Sequence, residues 1–128
     1  MTQEHKDLLL KDLCARLPYG VKCSFGVDDA VYEITGINPT CCGASEIQAT
    51  HIKSGINGDF TLNSCKPYSF PLSSMTEEQK SQYSFFLTRI IDGYDSSLLI
   101  DWLNKNHFDY RGVIKKGLAI DATGLNIY

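Results

Sequence analysis

His107, Asp109 and Arg111 stand at alternate positions in the run His107-Phe108-Asp109-Tyr110-Arg111-Gly112. An imidazole near a carboxylate can move a proton, and a planar guanidinium can clamp an anion, so the three could form a small catalytic site. The same residue types also suit a helix end. His107 would lie near a helix C-terminus and favour its dipole, Asp109 would cap the next turn, and Arg111 would tie the corner by hydrogen bonds. The structural role is the expectation, because residue types alone, without a supporting context, define no site.

Thiols are the second source of chemistry. Cys41, Cys42, His51 and Cys65 lie in or beside one stretch and could supply four zinc ligands. Structural zinc sites favour two cysteines separated by two to four residues, a spacing this chain lacks, and adjacent cysteines fit one tetrahedral site poorly. Cys42, beside Gly43, is the best candidate nucleophile, with His51 or His107 as base. Nothing cationic flanks it to lower its pKa, so an ordinary loop thiol is the expectation. Cys14 and Cys23 fall on apolar stripes and read as small core residues.

Other constellations have plain explanations. Glu77 and Glu78 suit the first turn of a helix. Asp28-Asp29 signals a turn. Gly55 and Gly58 flank a hairpin, and the Lys-Ser/Thr of a phosphate loop is missing. No serine triad, dinucleotide fingerprint or deaminase signature is present, so no cofactor is expected.

The elements that must position these residues follow from periodicity. Thr2 caps a helix whose apolar stripe is Leu9, Leu10, Leu13, Cys14 and Leu17, and Pro18-Tyr19-Gly20 stops it. Val21, Cys23, Phe25 and Val27 alternate with polar or small residues as in a strand, and a second strand over 30–37 completes a hairpin. A third strand covers 46–53, Asn57-Gly58 predicts a type I′ turn, and 59–62 returns as a fourth. Pro67 and Pro71 read as an extended segment outside any central strand. A capping box, Thr76 with Gln79 or Ser74 with Glu77, opens a helix with Tyr83, Phe86, Leu87, Ile90 and Ile91 on its apolar face. A third helix from Asp95 or Ser96 buries Leu99, Trp102 and Leu103. A short turn or helix follows from Asp109 to Gly117, Leu118-Ala119-Ile120 could add a strand, and the tail to Tyr128 is expected to fray. The order predicts an α+β fold: an antiparallel sheet of about four strands, preceded by one helix and followed by two or three helices on one face.

Bulk composition narrows the classes. The 128 residues are 43% hydrophobic and 21% charged, with six Phe, seven Tyr and one Trp, enough for one core in one globular domain over 1–128. The net charge of −3 and the scatter of the twelve Lys and Arg, with Lys115-Lys116 the only adjacent basic pair, argue against nucleic acid as a partner. No apolar run approaches a membrane span, and residues 2–7 are polar where a signal peptide turns apolar. Five cysteines without a secretion signal predict reduced thiols and a cytoplasmic location.

Three segments carry a likeness: Leu8-Leu9-Leu10-Lys11-Asp12-Leu13-Cys14-Ala15-Arg16-Leu17-Pro18-Tyr19-Gly20-Val21-Lys22, Pro71-Leu72-Ser73-Ser74-Met75-Thr76-Glu77-Glu78, and Trp102-Leu103-Asn104-Lys105-Asn106-His107-Phe108-Asp109-Tyr110-Arg111-Gly112. As a set they resemble a family of uncharacterised proteins from gut Bacteroidetes, often found in phage-like or other mobile regions. The stretch from Asn38 to Lys66 shares no pattern with that family, and the resemblance implies no activity. The expectation is therefore a non-enzymatic accessory module of a mobile element, binding another protein through a sheet face or an exposed edge. The alternatives are a small enzyme at His107, Asp109 and Arg111, and a cysteine-based metal or redox module.

Overall fold

Thr2 starts the first helix, α1 (Gln3–Arg16), by accepting the His5 N–H on its side chain. The helix tightens into a 3-10 turn at Leu17–Tyr19, and Gly20, at φ 72°, takes the left-handed conformation that ends it. The computed structural model describes residues 1–26, 30–38 and 46–128. The strands are β1 (Lys22–Ser24), β2 (Tyr32–Ile37), β3 (Ile47–His51), β4 (Asn57–Phe60) and β5 (Lys66–Pro71). Helices α2 (Glu77–Ile91) and α3 (Ser97–Lys105) follow, then β6 (Phe108–Asp109) and β7 (Ile120–Asp121).

The α+β class stands, but the sheet is larger and mixed. Among the described residues seven strands join in the order β4-β3-β2-β1-β5-β6, with β7 on β5. The pairs β1–β2, β1–β5, β2–β3 and β3–β4 are antiparallel. β6 and β7 pair with β5 in parallel, Phe70 with Phe108 and Tyr68 with Ile120. A parallel return needs a crossover, and α2 and α3 supply it between β5 and β6. Strands of two residues are too short to carry an alternating pattern, which is why the sequence gives β6 no signal.

Three local expectations are corrected. Asn57-Gly58 is not a turn: both residues lie in β4, facing Thr50 and Ala49. The chain reverses earlier, where Gly55, at φ 72°, donates its N–H to His51 O and His51 N–H is taken up by Ile56 O. Gly58 is needed for room instead, since a Cβ there would stand 2.8 Å from the Phe60 ring. Pro67 and Pro71 do not keep their segment out of the sheet, because β5 is the strand that β1, β6 and β7 all join. A proline has no N–H to give, so the pairing uses β5's other groups: Phe70 N–H donates to His107 O, and Ser69 O accepts Ala122 N–H. Cys14 is exposed, because the buried side of α1 is centred on Leu9, Asp12, Leu13 and Arg16.

Three hydrophobic clusters result among the described residues. Leu9 and Leu13 pack with Val21, Cys23, Phe25, Ile34, Ile47, Ala49, Leu62 and Cys65. At one edge of this cluster Phe25 stacks on Phe60 at 3.9 Å, with Tyr32 set edge-on to both. The second cluster, Met75, Leu99, Leu103 and Phe108, lies between α3 and β6, with Trp102, Tyr83 and Phe86 on its outer side. Trp102 is only half-buried, so it roofs this cluster rather than anchoring it. The third cluster is Val113, Leu118 and Ala119, which a turn over 113–117 packs toward Leu8.

Candidate functional site

His107 and Arg111, two of the residues that drew attention in the sequence, meet where α1, the end of α3 and the chain's tail come together. Beyond α3, Asn106 N–H returns to Trp102 O and His107 N–H to Asn104 O. His107 takes φ 59°, a left-handed conformation normally left to Gly or Asn and costing about 1–2 kcal/mol in other residues. Its ring contacts hold it there. The residue is 5% exposed. Nδ1 lies 3.2 Å from Arg16 Nη1 and Nε2 lies 3.1 Å from Tyr19 O. A guanidinium only donates, so Nδ1 is the acceptor and Nε2–H the donor. Burial and the neighbouring Arg16 charge push the imidazole pKa down to about 4. His107 is therefore neutral at pH 7 and adds no charge to the helix dipole.

Arg16 is the centre of this junction. It is fully buried, donating from Nη2 to Asp12 Oδ2 at 2.7 Å and from Nη1 to Tyr68 O at 2.8 Å. Arg111 donates to the other oxygen of Asp12 at 3.2 Å and to Asn104 Oδ1 at 3.3 Å. Tyr110 also donates to Asn104 Oδ1, and its ring lies 4.3 Å from the Arg111 guanidinium. Two guanidiniums thus share one carboxylate, and among the described residues the buried Arg16 Nε has no hydrogen-bond partner. Asp109 faces away from this group and accepts the Val113 and Ile114 N–H groups at 2.9 Å each.

The tail does not fray at its end. Asn126 turns at φ 54°, and Tyr128 stacks on the His107 ring at 3.7 Å and 10°. Its hydroxyl donates to Tyr68 O at 2.8 Å and accepts Lys22 N–H at 3.0 Å. Burial pushes this phenol up to about 12.

His107, Asp109 and Arg111 are near in sequence but committed to different partners. Both nitrogens of His107 are engaged, Asp109 serves two backbone amides, and Arg111 serves Asp12 and Asn104. What the arrangement does is join α1, α3, β5 and the tail. Asp12, Arg16, Asn104 and Tyr128 were missed from the sequence. Asp12 and Arg16 do stand at i and i+4, a visible pairing signal, but that spacing usually marks a solvent-facing pair.

Of the described thiols, Cys14 is exposed on α1 while Cys23 and Cys65 are buried together. Cys41 and Cys42 lie outside the described residues, as does Asp28-Asp29. His51 accepts Ser54 N–H on Nδ1 at 3.1 Å and sets its ring against Tyr32. It lines a cleft of about 500 Å³ with Lys22, Lys53 and Ile127. Cys65 is buried beside Cys23, whose thiol pKa is raised by its hydrogen bond to Cys65 and by burial, which makes it a poor nucleophile. Among the described residues no group of three or more His, Cys, Asp or Glu is placed to hold a metal ion. No described helix is long and apolar enough to cross a membrane.

The outer surface of α2 and α3 is of another kind. The Thr76–Gln79 capping box forms in full and fixes the start of α2. Yet none of its fifteen residues is fully buried. Tyr83, Phe86 and Ile90 rest against α3, while Ile91 is 85% exposed and Phe85 57% exposed. Tyr94 and Leu98, in and just after the connection to α3, are also exposed. The chain matches no protein-family profile, no curated protein and no solved structure.

Proposed function

We propose that this chain is a non-enzymatic protein-interaction module, an accessory component of a mobile element, which docks on a partner protein through the outer surface of the α2–α3 hairpin. The observation that supports this is the exposure of Ile91, Tyr94 and Leu98 at the hairpin tip, with Leu87 one turn before Ile91. Apolar side chains grouped in this way gain about 25 cal/mol for each Å² that a partner removes from water. The hairpin is a suitable platform because its inner side is fixed by Leu99, Leu103 and Phe108, so docking requires little ordering. The net charge of −3 and the scattered cations favour a protein over a nucleic acid. The likeness of three segments to proteins of mobile regions supports the accessory role.

The test is affinity capture from the native host with wild type and with the double variant Ile91→Asp/Leu98→Asp. A stoichiometric partner that is lost from the variant, at unchanged melting temperature, is the expected result. A partner retained equally by both proteins, or turnover of a substrate by a chain that holds no partner, overturns the proposal.

A further inference from the structure

One stripe of α2 is complementary to itself. Glu78, Gln82, Phe85 and Arg89 stand at i, i+4, i+7 and i+11, a spacing that keeps them on one line along a helix. Phe85 lines one side of a groove of about 420 Å³, with Ser81, Gln82, Phe86 and Trp102. The groove is firm: Trp102 Nε1–H donates to Gln82 Oε1 at 3.2 Å, and the Trp102 and Phe86 rings lie 5.8 Å apart. Arg89 is held between Phe85 and Tyr94, at 5.5 and 4.4 Å from the ring centres. Among the described residues it meets no carboxylate, and its buried Nε has no hydrogen-bond partner. Glu78, at the other end of the stripe, is exposed and makes no ion pair among the described residues.

We propose that this stripe binds a second copy of the chain, with the two α2 helices antiparallel about a twofold axis. The inference rests on the reading of α2 as a docking surface and names one occupant of it. Antiparallel pairing centred between Gln82 and Phe85 sets Glu78 against the second copy's Arg89 and Gln82 against the second copy's Phe85. Each Phe85 then enters the other copy's groove, and both lone charges find opposite charges. Such an interface is isologous, the arrangement a closed dimer requires. Other registers do not match. Centring on Phe85 sets Glu78 against Asp92, and a parallel pair sets Glu78 against itself, both like-charge contacts. A single pair of four-turn helices gives an interface at the small end of the range, so the dimer is a weak one. The tip with Ile91 and Leu98 stays free for a different protein.

Sedimentation equilibrium over a concentration series tests this on the full chain, with Glu78→Arg, Arg89→Glu and the two combined. Wild type is expected to rise from one chain mass to two. Each single reversal should weaken association about tenfold, since it turns two attractions into two repulsions. The combined variant should restore most of the loss, which a merely misfolded protein would not do. A single-chain mass at every concentration overturns the proposal, as does a dimer indifferent to the reversals or not rescued by their combination. If wild type stays monomeric while Ile91→Asp/Leu98→Asp loses a different protein, this inference fails and the docking reading survives.

Discussion

The junction around Arg16 and the outer surface of α2 are opposites in composition and in use. The junction holds His107 and Arg111, which the sequence marks as capable of chemistry, with Asp12 and Arg16, which it does not, and it is closed: His107, Arg16 and Asp12 are buried and bonded to one another or to backbone. The α2 surface carries few groups of reactive type, yet it is open, with Phe85 and Ile91 largely in solvent. Reactive residue types therefore mark the structural lock of this protein, and the surface available to a partner is marked by exposed apolar residues, Phe85, Leu87 and Ile91, set among polar ones. The physical cause is satisfaction. A buried charge must be paired to be tolerated, whereas an exposed apolar side chain leaves free energy to be gained by contact.

Breaking the lock should have the largest effect. Asp12→Ala leaves two guanidiniums without their shared carboxylate, one of them fully buried, and should cost about 3–5 kcal/mol in urea unfolding. A cost below about 1 kcal/mol would show that water reaches the junction and would erase the contrast with α2.

The next effect is on pH dependence. His107 has a folded pKa near 4 against 6.5 when unfolded. Between those values the unfolded chain binds the extra proton, so stability is complete above pH 6.5 and falls as pH drops toward 4. The loss from this residue is of order 3 kcal/mol. His107→Asn keeps a residue tolerant of positive φ and removes the titration, so its stability profile should be flatter over this window. Equal slopes for both proteins would exclude His107 as the buried neutral base of the lock. At the other extreme, the raised Tyr128 phenol favours the folded state until pH rises from 10 toward 12, where that contribution is lost.

A smaller effect is expected at Asp109. Asp109→Ala removes the acceptor of two backbone N–H groups and should cost about 0.5–2 kcal/mol, with the fold retained. The smallest belongs to the α2 side: Ile91→Asp should change stability by no more than about 0.5 kcal/mol while weakening partner capture. A large loss of stability there would mean that Ile91 supports the fold, and the two regions would no longer differ in kind.

What could be read from the sequence was local. The Thr2 cap, the Thr76–Gln79 capping box and the stop at Gly20 each need only residues within one turn, and each formed. The pairing of β1 with β2 was expected from alternation over 21–27 and β-prone residues over 30–37, and that of β3 with β4 was expected through a turn that the structure places elsewhere. Asn57-Gly58 misled because its turn preference lost to pairing with Ala49 and Thr50. Cys14 misled because the apolar stripe of α1 was drawn through it, while the actual buried face admits Asp12 and Arg16.

The sequence by itself determined the α+β class, the three helices, the caps of α1 and α2 and the pairing of β1 with β2, because propensity, capping and alternation act over a few residues. Only the tertiary structure decided that β5 joins three strands despite its prolines, that Arg16 is buried on Asp12, and that Tyr128 returns to cover His107. The junction's bonds from Arg16 to Tyr68 and His107, from Arg111 to Asp12 and from Lys22 to Tyr128 span 52 to 106 positions of the chain. At such separations no local preference encodes a partner, and only the simultaneous satisfaction of buried charges, backbone groups and packed rings selects it.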